Sequence, residues 1–131
     1  MKYICQIDVA SAMEYLHSLR PCIIHRDLKS LNVLRSKQGS LKICDFGLVT
    51  TRNTQAGTPA YMAPELILNQ TFNKSVDVFS FGILLCEMYS RVVPFVGVDS
   101  FEIRERIVAG ERPVISYSCP QKCAKLIKQC W

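Results

Sequence analysis

Ile23-Ile24-His25-Arg26-Asp27-Leu28-Lys29-Ser30-Leu31-Asn32-Val33-Leu34 runs from an apolar pair, through a polar stretch, back into apolar residues. The β-branched Ile23 and Ile24 predict a very short strand feeding a loop. After the loop, Val33 and Leu34, a turn around Gln38-Gly39, and Leu41, Ile43 and Cys44 predict two short strands about a tight turn. The loop holds a carboxylate at Asp27, an ammonium at Lys29 and a carboxamide at Asn32. Asp27 can accept the proton of an attacking hydroxyl, Lys29 can neutralise charge on a transferring phosphoryl group, and Asn32 offers a hard oxygen to Mg²⁺. His, Arg, Asp, Lys and Asn at prescribed positions, each at about one in twenty, give a chance match anywhere in a chain of this length on the order of 10⁻⁵.

Upstream, Cys5, Val9, Ala12, Met13 and Leu16 fall near a helical period, and Ile4, Ile7 and Ala10 widen the stripe, so residues 5–19 read as a buried helix ended by Pro21. Downstream, Asp45-Phe46-Gly47 brings a second carboxylate into a turn where glycine frees the backbone, and Asp45 is the natural principal metal ligand. Residues 45–63, with Gly47, Gly57, Pro59 and four threonines, predict a long surface loop. Residues 75–89 are apolar nearly all round, which predicts a central helix. Residues 101–109 and 121–131, the latter after Pro120, read as amphipathic surface helices. The expectation is one mainly α unit with a small β-hairpin.

Composition narrows the class. The 131 residues are 49% hydrophobic and 21% charged, an ordinary globular balance. The greasiest run, Phe81 to Cys86, is closed by Glu87 well short of the roughly 18 residues a membrane span needs. Asp8 and Glu14 interrupt the place where a secretory leader would carry its apolar core, so a cytoplasmic location is expected. The net charge of +5 is scattered rather than gathered into a basic stripe, which speaks against nucleic acid and is met by a nucleotide phosphate. Seven cysteines contain no C-x-x-C pair and read as small buried thiols; no histidine lies near Cys119, Cys123 and Cys130 to complete a metal set.

Taken together, His25 to Asn32, Asp45-Phe46-Gly47, Gly57-Thr58-Pro59-Ala60-Tyr61-Met62-Ala63-Pro64-Glu65 and Asp77-Val78-Phe79-Ser80-Phe81-Gly82 resemble the protein kinase family, in the family's order and across the whole chain. The resemblance implies a carboxy-terminal lobe, with catalytic loop 25–32, activation segment 45–65 and central helix about 75–89. It implies ATP and Mg²⁺ as cofactors, Asp27 as catalytic base, Lys29 on the γ-phosphate, Asn32 and Asp45 as metal ligands, and Leu34 flooring the adenine pocket. Thr58 resembles the threonine that bonds the base and the lysine and seats the acceptor. Lys29 and the Gly-Thr-Pro run look like serine/threonine enzymes, and residues 28–34, Gly110-Glu111-Arg112-Pro113 and Cys130-Trp131 are similar to the tyrosine-kinase-like group. A protein bearing a Ser or Thr acceptor is the implied partner.

Arg26 resembles the arginine that meets a phosphorylated activation-loop residue, with Thr50, Thr51 and Thr54 as candidates. His25 and Phe46 look like the family's internal spine, and Asp77 like the carboxylate bonding the His-Arg-Asp backbone; His17 is assigned no function. The glycine-rich loop, strand lysine and helix glutamate of the amino-terminal lobe have no counterpart in these residues. Both ends therefore look cut, these 131 residues alone are expected to transfer negligible phosphate, and Glu65, whose arginine partner in the family lies beyond such a Trp, is expected to be a buried unpaired carboxylate. The alternative is a catalytically inactive kinase-like binding module; retention of Asp27, Lys29, Asn32 and Asp45 favours the enzyme.

Overall fold

The computed structural model describes residues 2–49 and 56–131, with side chains from Gln6 onward. Helix α1 (Lys2–Ser18) leads through the 3₁₀ turn Ser30–Asn32 into strands β1 (Val33–Arg35) and β2 (Leu41–Ile43). A second 3₁₀ turn, Pro59–Tyr61, precedes α2 (Pro64–Ile67), α3 (Ser75–Ser90), α4 (Ser100–Val108) and α5 (Gln121–Cys130). The strands pair antiparallel with Val33 opposite Ile43 and Arg35 opposite Leu41. The mainly α architecture with one hairpin is as the sequence predicts.

α3 is the pillar because it is apolar on every side. Leu84 packs with Val9, Met13 and Leu16 of α1 and with Leu28. Val76, Phe79 and Ile83 meet Ala60 to Ala63, Leu66, and Ile103 and Ile107 of α4. Leu85, Cys86 and Tyr89 meet Ile127 of α5. Each large side chain so buried contributes roughly 1.5–3 kcal/mol. α4 starts at Asp99, whose carboxylate accepts from the Phe101 and Glu102 amides and so satisfies donors the helix cannot.

α5 lies so close to α3 that Gly82 is required: a Cβ there would sit 2.6 Å from Cys130 Cβ. Gly82→Ala is expected to lower the unfolding free energy by about 1–3 kcal/mol, measured by urea titration, through the backbone shift that overpacking forces. Cys86 in the same region is buried, and that burial, with a smaller contribution from Cys119, pushes its thiol up to about 11. It stays protonated at neutral pH, so a disulfide-exchange reagent is expected to label exposed Cys22 quickly and Cys86 only on unfolding. Because the folded state favours the thiol, this contribution to stability is present below about 9 and is lost as pH rises toward about 11.

Several expectations are corrected. Ile23 and Ile24 form no strand; the Ile23 amide instead bonds the Leu16 carbonyl and tucks the chain under α1. From Gln6 onward α1 is buried on one side only, with Ile7 and Tyr15 exposed and Val9, Met13 and Leu16 inside. The end of the 45–63 segment is core rather than surface: Ala60, Tyr61, Met62 and Ala63 are buried. That burial is tolerated because the Tyr61 and Met62 amides bond Thr58 and Pro59 carbonyls, and Ser80 Oγ donates to the Tyr61 carbonyl. Glu65 is half-buried rather than buried, and its Oε1 accepts from Ser75 Oγ at 3.4 Å.

Candidate active site

The 23–32 loop is built on a buried carboxylate. Asp77, in the first turn of α3 where the helix dipole favours an anion, accepts the His25 amide at 2.9 Å on Oδ2 and the Arg26 amide at 2.8 Å on Oδ1. Arg26 is thereby held at φ 69°, a left-handed conformation that costs a non-glycine residue of order 1–3 kcal/mol. His25 does more than pack. Its Nδ1 accepts the Asp27 amide at 3.2 Å, so the ring proton is on Nε2, which donates to the Cys44 carbonyl at 3.0 Å. One imidazole thus ties the loop to the segment after β2.

Asp27, Lys29 and Thr58 converge. Thr58 Oγ1 donates to Asp27 Oδ1 at 3.1 Å and accepts from Lys29 Nζ at 2.7 Å, while Lys29 Nζ lies 3.1 Å from Asp27 Oδ2. Asn32 joins from the other side, its Nδ2 donating to the Asp27 carbonyl at 2.8 Å and to Oδ2 at 3.2 Å. Three side chains from two segments about 30 positions apart therefore surround one carboxylate. Glu87 of α3 braces both segments: Oε1 accepts Ser30 Oγ at 2.9 Å and Oε2 accepts the Tyr61 hydroxyl at 2.6 Å. Burial first, then the bond to Glu87, hold the Tyr61 hydroxyl far above its ordinary pKa, so it stays protonated and donates to Glu87.

The amide of Cys44 bonds the Asn32 carbonyl at 2.9 Å and extends the ladder one pair past Val33 and Ile43, which sets Asp45 beside the Asn32 end of the hairpin. Asp45 itself takes the left-handed turn, φ 62°, and its Oδ1 accepts the Gly47 amide at 3.2 Å. Gly47 has no positive φ, and a Cβ there would lie 3.2 Å from that same oxygen, a tight contact that a small movement of the exposed Asp45 side chain relieves. Phe46 meets His25 edge-on at 5.1 Å but is 45% exposed, so it is less internal than the spine reading expects. Leu34 is exposed on β1 opposite Lys42.

The Arg26 guanidinium donates to the Leu48 carbonyl at 3.1 Å and lies over the Phe72 ring at 4.9 Å. Burial lowers its pKa, and the nearby Asp77 charge acts in the opposite sense. Thr50, Thr51 and Thr54 lie outside the described residues. Asp8 and Glu87 carry structural bonds that no motif in the sequence marks; Asp8 Oδ2 accepts the Leu41 amide at 2.8 Å and docks α1 on β2.

Chemically, the arrangement pairs a proton acceptor with a fixed ammonium beside two hard oxygen donors. With Nδ2 of Asn32 turned to Asp27, the planar amide directs Oδ1 the other way, and Asp45 adds an exposed carboxylate at the same end of the hairpin. One carboxylate and one carboxamide oxygen suit Mg²⁺, which favours few protein ligands and completes its shell with phosphate and water.

The protein kinase domain family matches residues 2–131. A LIM domain-containing serine/threonine-protein kinase of Dictyostelium discoideum is 42% identical over 132 aligned positions, covering 95% of this chain and 20% of that protein. A serine/threonine-protein kinase/receptor of Acanthamoeba polyphaga mimivirus is 40% identical over 95% of this chain and 8% of its own length. Mitogen-activated protein kinase kinase kinase 7 of Drosophila melanogaster is 40% identical over 93% of the chain and 19% of its own length. The chain thus spans a fifth or less of these relatives, and the match takes in nearly every residue it has. On this match, and on the loop geometry beneath it, the chain belongs to the protein kinase domain family.

Proposed function

We propose that the chain is the carboxy-terminal lobe of an ATP-dependent protein serine/threonine kinase, with catalytic loop 25–32 and activation segment 45–65. The observation that carries this is Thr58 Oγ1 bridging Asp27 and Lys29, which aims a carboxylate and an ammonium at one point. Asp27 accepts the proton of the acceptor Ser or Thr hydroxyl as that oxygen bonds phosphorus. Lys29 neutralises charge on the γ-phosphoryl oxygens, and Thr58 seats the acceptor. Asn32 and Asp45 hold Mg²⁺, which when bound offsets phosphate charge, and Leu34 lies under the adenine. A serine/threonine acceptor is supported by the printed names of the relatives.

The other half of the nucleotide site comes from an amino-terminal lobe, so these residues alone transfer negligible phosphate. The buried Arg26 guanidinium, depressed by desolvation, is suited to a phosphorylated Thr50, Thr51 or Thr54, whose charge would restore its solvation. A cytoplasmic site is supported by six cysteines free of disulfides among the described residues. No described helix is long and apolar enough to cross a membrane.

The test is a kinase assay on the chain alone and on the chain fused behind the amino-terminal lobe of a related serine/threonine kinase. Transfer to Ser or Thr by the fusion and none by the chain is the expected result. A folded fusion that binds ATP without transfer would support the inactive binding module instead.

A further inference from the structure

Three cysteines gather where α3 meets α5 and the segment leading into it: Cys86, Cys119 and Cys123 pack in one cluster with Leu85, Tyr89 and Ile127. Tyr89 is the polar centre of that cluster. Its hydroxyl donates to Cys123 Sγ at 3.1 Å and accepts from Gln6 Nε2 of α1 at 2.6 Å. Burial first, then the bond to Cys123, push the Tyr89 hydroxyl up to about 12, so the proton it offers the sulfur is in place at neutral pH. Cys119 and Cys123 bracket the start of α5. Pro120 is the N-cap, the Ala124 amide bonds the Pro120 carbonyl at 2.9 Å, and Cys123 is the third helical residue. A residue just before an N-cap commonly packs back over the first helical turn. Here both thiols are half-buried and share the same cluster.

The other sulfurs are set apart by their surroundings. Cys86 is buried and donates to the Val114 carbonyl at 3.4 Å. Burial raises the pKa of both Cys86 and Cys130, so each persists as a slow-reacting thiol. Cys22 is exposed, but it borders a different cavity, with Phe72 and Lys74.

We propose that Cys119 and Cys123 form a reversible disulfide site, oxidised by hydrogen peroxide and reduced again by a small thiol such as glutathione. Cys123, whose sulfur carries the Tyr89 hydrogen bond, reacts first. Its thiolate attacks one peroxide oxygen, the O–O bond breaks, and the departing hydroxide takes the proton Cys123 gave up and leaves as water. The Cys119 sulfur then attacks the sulfenic sulfur of Cys123, the S–O bond breaks, and the Cys119 proton leaves with that oxygen as a second water. The two thiols are oxidised by two electrons and the peroxide is reduced by the same two. The new bond ties the first turn of α5 to the segment before it, beside the Tyr89 hydroxyl. Disulfides of this transient, redox-sensing kind are the ones a reducing compartment permits.

The test treats the folded 131-residue chain with limiting hydrogen peroxide, blocks the remaining thiols with iodoacetamide and digests with trypsin. Cleavage after Lys122 separates the two cysteines, and Arg112 is protected by Pro113, so the disulfide leaves residues 107–122 joined to 123–125. The expected result is that joined pair, released by glutathione and formed roughly tenfold faster than the Cys86 and Cys130 thiols are lost. In Cys119→Ser the reaction stops at the sulfenic acid, and dimedone labels Cys123. Oxidation that ends in sulfinic or sulfonic acid with no joined pair, or a disulfide from either cysteine to Cys86, overturns the proposal. So does Cys119→Ser with Cys123 unlabelled. If the serine variant fails to fold, the peptide map of the wild-type chain decides alone.

Discussion

Asp77→Ala is expected to lower the unfolding free energy of the chain by about 3–5 kcal/mol, enough to unfold a marginally stable domain. The substitution removes the acceptor for the buried His25 and Arg26 amides and for His17 Nε2. A buried donor left without a partner costs about 1–3 kcal/mol. The charge facing Arg26 goes as well, leaving a desolvated guanidinium without that compensation. Asp77→Asn retains one acceptor oxygen and sets an N–H against a donor, so an intermediate loss is expected. Urea titration followed by circular dichroism measures all three chains; a loss under about 1 kcal/mol in Asp77→Ala would show that the loop is held by other contacts.

The largest effect on activity belongs to Asp27→Asn. In the fusion carrying an amino-terminal lobe, it is expected to reduce kcat by a factor of roughly 10² to 10⁴, with KM for ATP little changed. Asparagine can still accept the Thr58 hydroxyl, but it cannot take a proton, and its amide group can face the Lys29 ammonium where a carboxylate oxygen lay 3.1 Å away. The loss should therefore fall on the chemical step while the fold is kept. Steady-state kinetics with a Ser/Thr peptide, beside a thermal melt, separates these; undiminished turnover in a folded variant would remove Asp27 from the base role.

Much of this site is legible in the sequence because its chemistry is carried by residue type and spacing. Asp27, Lys29 and Asn32 fall within one loop, and Thr58 follows in a run whose composition is distinctive. The all-round apolar character of residues 75–89 likewise identifies the central helix, since only a pillar packed on several sides keeps no polar face. What stays hidden depends on contacts between distant positions. His17 reads as an ordinary helical histidine until α1 is laid against α3, 60 positions away. Glu87 reads as the polar end of an apolar run, yet its two oxygens brace Ser30 of the 25–32 loop and Tyr61 of the 45–65 segment. Residues 60–63 look like loop because prolines and glycines surround them, and their burial follows from a 3₁₀ turn that satisfies the backbone locally. Gly47 illustrates the same limit, because a glycine in a turn suggests a positive φ while the positive φ belongs to Asp45.

Whether Asn32 and Asp45 hold a divalent cation beside Asp27 and Lys29 is tested most directly by titrating the isotopically labelled chain with Mn²⁺ and ATP at millimolar concentration. Paramagnetic broadening reads distance from the metal and requires no turnover. The expected result is selective loss of the Asn32 and Asp45 signals, followed by those of Asp27 and Lys29, and its disappearance in an Asn32→Ala, Asp45→Ala double variant. Broadening concentrated at the exposed carboxylates of α4 and its flank, Glu102, Glu105 and Glu111, with the loop signals intact, would contradict it.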